Sequence, residues 1–320
     1  MQRELLLRQG YKLVGKAGGV KLCHWTKESL RGDRYCYKQK FYGIESHRCI
    51  QMTPSVFHCN LNCLFCWRYN NYPYVEMKEW DDPSYLLEKS IEAQRALISG
   101  FGGNPKVNKE KFEEAMEPKH IAISLAGEPT LYPELGEFIE EAHRKGFTTF
   151  LVTNGTNPKA LEELDPLPTQ LYVSVTAPNE RVFEALNLPR VPRAWESLIE
   201  TLRLLPSLGT RRVIRHTLVK GWNMPFVEDY VKLDSIAEPD FIEPKAYMNL
   251  GYSRYRLNPG NMPKHWEVKQ FAFKLLSELK NFEYMDEDFE SRIVILKNKR
   301  RKIKRWILDP KESILFKYNL

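Results

Sequence analysis

The chain has 320 residues, of which 42% are hydrophobic and 28% charged, and its formal net charge is +7 at pH 7. This composition is typical of a folded protein with a sizeable core, and the length suits one large domain or two modest ones. No apolar run is long enough to cross a bilayer and the first residues lack the features of a secretory signal, so the sequence predicts a cytoplasmic protein without a membrane segment.

The predicted elements fall into two regions. The first 50 residues fit no regular repeat and are expected to form an appended, loop-rich segment around Cys23, Cys36 and Cys49. From residue 51 onward, short β-rich runs alternate with helical stretches, the pattern of repeated βα units. The predicted strands are residues 53–58, 120–125, 147–152, 171–175, 212–219 and 241–247. The predicted helices are residues 82–100, 133–146, 193–205, 225–237 and 262–280.

Six βα units imply an α/β fold with a parallel sheet, either doubly wound or curled into part of a barrel. Both arrangements place chemistry at the carboxyl ends of the strands. The expected division is an N-terminal segment at 1–50, a βα core at 51–282 and a basic C-terminal appendage at 283–320. In the last predicted helix, four apolar side chains fall near one face, which is expected to be the buried one. They are Trp266, Phe273, Leu276 and Leu279.

All six cysteines lie between Cys23 and Cys66. In a reducing compartment, cysteines clustered in this way are more often metal ligands than disulfide partners. Cys59, Cys63 and Cys66 are spaced C-x3-C-x2-C directly after the first predicted strand. Three thiolates can hold an iron–sulfur cluster and leave one iron without a protein ligand. A structural zinc site completed by His58 or His24 is the alternative.

The cysteine spacing, with Phe65 before the last cysteine, resembles the signature of the radical S-adenosylmethionine (SAM) superfamily. The resemblance implies a partial (βα)6 barrel of the TIM type and a [4Fe–4S] cluster whose open iron binds the amino and carboxylate groups of SAM. Gly127, Glu128 and Thr130 in "AGEPT" resemble the segment that holds the methionine amino group of SAM. Asn154 and Ser174 resemble positions that contact its ribose and carboxylate.

The other cysteines, Cys23, Cys36 and Cys49, are separated by 13 and 13 positions. From the residues alone they are either buried apolar thiols or ligands of a second metal centre. Followed by the C-x3-C-x2-C loop, they make the chain closely resemble the archaeal tRNA 4-demethylwyosine synthases of wyosine and wybutosine biosynthesis. The resemblance implies a second [4Fe–4S] cluster and a role for Lys38 in holding pyruvate as a Schiff base, with Lys40 as the competing candidate.

The same resemblance implies a reaction and its partners. The enzyme, of the carbon–carbon lyase class, would condense N1-methylguanosine, 3′ of the anticodon in tRNA-Phe, with two carbons of pyruvate by means of a 5′-deoxyadenosyl radical. It would act as a monomer. Because the flavodoxin-like sequence of eukaryotic members is absent here, an external electron donor of the flavodoxin or ferredoxin type is expected.

Basic and aromatic residues are interleaved in three stretches suited to RNA. Residues 297–306 hold seven basic side chains in ten, a run that is either a solvated face or a phosphate-binding surface. Residues 211–222 and 252–259 place Trp222, Tyr252 and Tyr255 among basic neighbours, as stacking groups or as ordinary core and rim aromatics. Two alternatives remain open: a radical SAM enzyme with a protein or small-molecule substrate, and a zinc-containing RNA-binding module.

Overall fold

The structure, a computed structural model, describes residues 2–32, 34–70, 74 and 77–308. Its first 50 residues contain five short elements before the first core strand. They are α1 Gln2–Arg8, β1 Lys12–Val14, β2 Gly18–Val20, α2 His24–Arg31 and α3 Tyr37–Tyr42. The expectation of a loop-rich segment was wrong, because β1 and β2 join the main sheet.

Six strands of that sheet run parallel, and at least one helix follows each. The strands are β3 Cys49–Thr53, β4 His120–Ile123, β5 Thr148–Thr153, β6 Gln170–Ser174, β7 Arg211–Leu218 and β8 Phe241–Ala246. The helices are α4 Pro83–Ser99, α5 Lys109–Ala115, α6 Leu135–Arg144, α7 Pro158–Glu162, α8 Glu180–Asn187, α9 Ala194–Leu204, α10 Val227–Ala237 and α11 His265–Glu278. The predicted (βα)6 architecture is confirmed.

The sheet does not close into a barrel. Two further strands, β9 Phe282–Asp288 and β10 Ile293–Asn298, extend it, with β10 antiparallel to β8 and β9 at the edge. The region predicted as a C-terminal appendage therefore shares the sheet of the core. No helix in the described part of the chain combines the length and the apolar character that a bilayer span requires.

The first predicted strand, residues 53–58, was wrong. The strand ends at Thr53, and the following residues form a turn in which the His58 amide donates to the Ser55 carbonyl at 2.9 Å. Pro54 has no amide hydrogen with which to continue the ladder. Val56, which made the stretch look like a strand, packs instead in a small cluster with Leu6 and Tyr11. The other five strands lie within two residues of their predicted bounds.

The two faces of the sheet bury different residues. Ile50, Met52 and their equivalents on later strands pack against the outer helices. The inner, concave face carries Phe150 and Tyr172, and α3 covers it with Tyr37 and Phe41, among other apolar side chains. Because strand side chains alternate between faces, Cys49 and Gln51 share the inner face. The helix that carries Lys38 thus lies inside the curved sheet.

The buried face of α11 differs from the predicted one. The residues that it buries include Val268, Phe271 and Leu275, at spacings of three and four positions. Trp266 and Phe273 lie on the opposite side and are 57% and 48% exposed. The prediction for these two aromatics was wrong because the helix has apolar residues at helical spacing on two faces. The sheet packs against the face that carries Val268, Phe271 and Leu275.

A buried ion pair at the start of β8 should contribute strongly to stability. Asp240, fully buried, accepts from the Arg212 backbone amide at 2.8 Å and from Arg301 Nε at 2.9 Å, and its carboxylate lies 3.5 Å from the buried Arg212 guanidinium. Asp240→Ala leaves that guanidinium without its carboxylate and should lower the free energy of unfolding by about 3–5 kcal/mol, measured by urea denaturation. Asp229→Ala, which removes an exposed pair with Lys232, should cost about 1 kcal/mol or less. Equal losses in the two variants would contradict this assignment.

Candidate active site

The cysteine loop, residues 59–66, lies at the carboxyl ends of the strands. Hydrogen bonds attach it to the residues at the end of α8. The Asn62 amide donates to the Leu188 carbonyl at 3.0 Å, and the Leu64 amide donates to the Leu186 carbonyl at 2.9 Å. The loop therefore has a defined conformation before any ligand is considered.

Cys59, Cys63 and Cys66 come close enough together to influence one another. Burial raises the pKa of all three thiols, that of Cys59 to about 12, because a thiolate loses its hydration there. Thiolates at Cys59 and Cys66 would raise the pKa of Cys63 further. A buried trio of this kind becomes anionic only when a strong positive centre compensates it, as iron does in a cluster.

Arginine side chains surround this trio, and sequence reasoning assigned them no role. Arg256 donates to the Cys66 carbonyl and to Asn70, and Arg190 Nη2 donates to the Asn70 carbonyl at 2.5 Å. Arg68, two residues after the loop, is only 5% exposed, and a thiolate at Cys66 would interact favourably with its guanidinium. Buried cations next to thiol ligands suit an anionic thiolate-bound cluster, so the residues present fit an iron–sulfur group.

The spacing of the cysteine sulfurs argues against a single zinc ion. Among the described residues, the set of three metal-binding side chains with all ligand atoms within 4.8 Å of one another is Glu45, His47 and Glu114, and neither cysteine trio meets this spacing. Sulfur ligands of one tetrahedral zinc would lie about 3.8 Å apart. Within this set of three residues, the Glu45 carboxylate is already compensated by positive charges, since it lies 3.5 Å from Arg48 and 3.7 Å from Lys119.

Gly127 allows the "AGEPT" turn to pass directly over the turn that precedes the cysteine loop. Its φ is +72°, and a Cβ at this position would lie 1.9 Å from the Ser55 carbonyl oxygen and 2.6 Å from that of His58. Only glycine fits such a close approach. The turn is further fixed by the Glu128 amide, which donates to the His58 carbonyl at 2.8 Å.

Glu128 connects the loops that follow β4 and β5. Its buried carboxylate accepts from the Thr153 hydroxyl at 2.6 Å and the Asn154 amide at 2.8 Å, and from the amide and hydroxyl of Thr130. Burial raises its pKa, which these four hydrogen bonds oppose. Glu128 and Thr130 are 2% and 3% exposed, so both lie within the framework of the site rather than on its open surface.

The remaining predicted cofactor contacts lie beside this framework. Asn154 Nδ2 donates to Asn60 Oδ1 of the cysteine loop at 2.7 Å, and Asn60 in turn donates to Thr156 at 2.6 Å. Ser174 is the last residue of β6 and, by strand alternation, shares the inner face with Tyr172. The structure therefore brings four of the predicted contacts together and places Ser174 on the neighbouring strand.

The second trio is assembled from three different elements. Cys23 precedes α2, Cys36 caps the start of α3 and accepts from the Lys38 amide at 3.5 Å, and Cys49 begins β3. Burial raises the pKa of both Cys36 and Cys49 to about 12, and a thiolate at Cys23 would raise each of them further. Thiols that are 13 positions apart in sequence thus meet on the inner face.

Lys38 and Lys40 lie in very different surroundings. The Lys38 amine lies 4.7 Å from the ring centres of both Phe150 and Tyr172, and no ion pair to it is found in the described residues. Its side chain is buried, which lowers its pKa, as does the neighbouring Arg215. Lys40 instead lies 3.3 Å from Asp286 and donates to the Glu287 carbonyl at 2.5 Å.

A polar network beside Lys38 was missed by the sequence analysis. Arg215 Nη2 donates to Glu243 at 2.6 Å and to the Tyr37 hydroxyl at 2.7 Å, and Tyr42 donates to the other oxygen of Glu243 at 2.6 Å. Arg215 and Glu243 lie on adjacent strands in register. The sequence did contain a sign of this network, because Arg215 and Glu243 are charged residues in the middle of two strands that were predicted to be buried.

The basic run at 297–306 lies at the opposite end of the sheet from the cysteine loop. Lys297 pairs with Phe241, the first residue of β8. Arg301 and Arg305 form ion pairs with Asp240 and Asp286 at 2.9 and 2.6 Å. Carboxylates thus already pair these two arginines, which makes them less suited to phosphate than the other basic residues of the run. Five basic residues of the run are exposed: Lys299, Arg300, Arg301, Lys302 and Lys304.

Two models of known protein families match the chain. A model described as the radical SAM superfamily matches residues 54–233, and a model described as wyosine base formation matches residues 236–298. The second match spans β8, α11, β9 and β10.

The S-adenosyl-L-methionine-dependent tRNA 4-demethylwyosine synthase of Pyrococcus horikoshii is 53% identical over 92% of this chain and 87% of its own length. The Mus musculus protein of the same name, TYW1, is 41% identical over 94% of this chain, which spans 42% of that protein. A solved structure described as "Structure of TYW1 with a lysine-pyruvate adduct bound" has a TM-score of 0.87 and 39% identity, covering 96% of this chain and 98% of that one.

The close approach at Gly127 can be tested against a matched glycine. Gly146 has a similar φ of +80°, but a Cβ there would meet nothing within 4 Å. Gly146→Ala should cost only the backbone strain, about 1–3 kcal/mol, whereas Gly127→Ala should cost more and reduce the iron retained after anaerobic reconstitution. Urea denaturation and iron analysis measure the two effects. Equal stability and iron content in the two variants would show that the turn tolerates displacement.

Proposed function

Because the chain belongs to the radical SAM superfamily and, within it, to the tRNA 4-demethylwyosine synthases, we propose that it condenses N1-methylguanosine in tRNA-Phe with two carbons of pyruvate. Family membership brings with it SAM, an iron–sulfur cluster and a tRNA substrate. The proposal adds the identity of the nucleoside, located 3′ of the anticodon, and of the carbon donor. One observation carries it: a buried lysine amine without a carboxylate partner in the described structure, beside buried thiols on the inner face of the sheet.

Cys59, Cys63 and Cys66 are proposed to hold the cluster that binds SAM. The family's chemistry at such a cluster is the formation of a 5′-deoxyadenosyl radical, which would remove hydrogen from the N1-methyl group. The chain's own part is to fix the loop and its surroundings. Glu128 connects the loops after β4 and β5, and Arg256 hydrogen-bonds to the backbone of the last cysteine.

Cys23, Cys36 and Cys49 are proposed to hold a second [4Fe–4S] cluster. The burial of Cys36 and Cys49, with Cys23 close to both, supports this role, since buried thiols have little use for one another as neutral groups. The position of Cys36 as the cap of α3 would couple this cluster to the helix that carries Lys38.

Lys38 is proposed to form the Schiff base with pyruvate. Its amine attacks the ketone carbon, and water leaves as the carbon–nitrogen double bond forms. A lysine buried against two aromatic rings is held in place without a competing carboxylate, whereas Lys40 is paired with Asp286. The lysine–pyruvate adduct named in the description of the solved relative supports the same chemistry. The N1-methyl carbon would then bond to the imine carbon, and the bond to the carboxylate carbon would break, with that carbon leaving as carbon dioxide or formate. Attack of the guanine amino group on the former imine carbon would close the ring and release the amine of Lys38.

The proposal includes two further expectations. The reaction needs reducing electrons, for which we propose a protein donor of the flavodoxin or ferredoxin type. We also propose that the enzyme acts as a monomer.

The role of Lys38 can be tested by trapping. Borohydride reduction of the protein with labelled pyruvate should attach the label to the wild type and not to Lys38→Ala, and the variant should form no tricyclic product. Mass spectrometry of peptides locates the label. Lys40→Ala, which removes the ion pair with Asp286 and the hydrogen bond to the Glu287 carbonyl, should trap pyruvate as the wild type does. Undiminished labelling of Lys38→Ala would remove the proposed role.

The two proposed cluster sites can be tested independently with single cysteine variants. After anaerobic reconstitution, Cys49→Ala and Cys66→Ala should each retain about half of the wild-type iron and sulfide, because each variant breaks one trio. Cys66→Ala should no longer cleave SAM. Full iron content in Cys49→Ala, with unchanged product formation, would contradict a second cluster at the N-terminal trio.

A further inference from the structure

Aromatic side chains lie together beside the cysteine loop, and the sequence left two of them, Tyr252 and Tyr255, either as stacking groups or as ordinary core and rim aromatics. We call this group the mouth patch, and it consists of Trp67, Tyr69, Tyr252 and Tyr255. The rings of Tyr69 and Tyr252 are 5.1 Å apart, and those of Tyr252 and Tyr255 are 5.8 Å apart. Trp67 is 45% exposed and Tyr255 is 83% exposed. Large aromatics exposed together in this way usually mark a binding surface.

The mouth patch is fixed relative to the last cysteine. The Tyr252 amide donates to the Trp67 carbonyl at 3.0 Å. Gly251, with φ of +53°, allows this approach, since a Cβ there would lie 2.3 Å from the same carbonyl oxygen. Arg256, at the end of the same segment, donates to the Cys66 carbonyl. A molecule that rests on the patch is therefore held at a defined position relative to the thiols.

Two positive charges lie near the mouth patch in the described part of the chain. The Arg68 guanidinium lies 3.4 Å from the ring centre of Trp67 and is itself buried. Arg254, between Tyr252 and the exposed Tyr255, is itself exposed to solvent. Aromatic rings backed by arginine are the combination that stacks the bases and neutralises the phosphates of single-stranded nucleic acid.

A second pair of exposed aromatics lies in a different environment. Trp266 and Phe273 lie on the outer side of α11, where Phe273 stacks on Tyr284 of the edge strand β9. Lys269 beside them is already paired with Glu287 at 2.9 Å. This second group has no hydrogen bond to the cysteine loop, and its neighbouring carboxylate would repel phosphate. It is a suitable control surface.

We propose that the mouth patch is a stacking platform for unpaired bases of the tRNA loop, which positions the nucleoside to be modified over the cysteine loop. This inference rests on the proposed function for its partner, a tRNA whose target base lies in a single-stranded loop. Unpaired loop bases can leave their own stack and rest on protein aromatics, whereas a duplex cannot. The platform should therefore bind single-stranded RNA in preference to a duplex.

The test measures the affinity of anaerobically reconstituted protein for tRNA without turnover. Trp67→Ala and Tyr255→Ala should each raise the Kd about tenfold or more, since each base–aromatic stack contributes about 1–3 kcal/mol. Trp67→Phe should restore most of the affinity. Trp266→Ala, which removes a similarly exposed tryptophan from the control surface, should leave the Kd unchanged. Only variants with wild-type iron content are compared, and Tyr255→Ala serves if the Trp67 variant loses iron.

Two results would overturn the inference. One is an unchanged Kd in Tyr255→Ala and Trp67→Ala, which would leave the patch free for a protein partner instead. The other is equal competition by an RNA duplex and by the single-stranded loop. Because binding is measured without pyruvate or SAM turnover, failure of the proposed reaction would appear separately, as tRNA binding by the wild type without product.

Discussion

The contact between helix α3 and the concave face of the sheet is the interaction on which the candidate site depends. Tyr37 and Phe41 of this helix pack against inner-face residues such as Phe150 and Tyr172. Without the helix, the inner face would expose a large apolar surface to water. With it, the cap residue Cys36 and the amine of Lys38 are carried into the interior. A short helix that would be unstable alone is stabilised by this packing.

Charged groups buried in this interior lose their hydration, and the chain compensates them with nearby partners of opposite charge. The Arg215 guanidinium is matched by Glu243, and both oxygens of that carboxylate are hydrogen-bonded. The thiols of Cys59, Cys63 and Cys66 have arginines as neighbours, but burial still raises the pKa of each, so they stay protonated unless a metal centre binds. Lys38 is the remaining exception, held by aromatic rings rather than by a carboxylate. The buried thiols and the Lys38 amine are the groups to which chemistry is assigned.

Local patterns in the sequence predicted most of the scaffold. The alternation of β-rich and helical runs located five of the six core strands, and the C-x3-C-x2-C spacing located the loop at the carboxyl ends. The strand at 53–58 was misplaced because apolar residues after Pro54 imitate a strand while packing in a separate cluster. The convergence of Cys23, Cys36 and Cys49 was inferred from resemblance, because thirteen-residue spacings fix no geometry. Pairing of Arg215 with Glu243, and of Arg305 with Asp286, depends on contacts between distant strands that no short pattern encodes.

The far end of the chain completes the helix that carries Lys38. The last carbonyls of a helix lack intrahelical partners, and in α3 they are satisfied from residues near position 305. Arg305 donates to the carbonyls of Lys40 and Phe41, and the Ile307 amide donates to the carbonyl of Tyr42. These contacts join positions about 265 residues apart. During synthesis on the ribosome, Gly43 can cap the Gln39 carbonyl at once, but the carbonyls of Lys40, Phe41 and Tyr42 lack these partners until residue 307 has been made. A chain that stops earlier therefore lacks this closure beside Lys38.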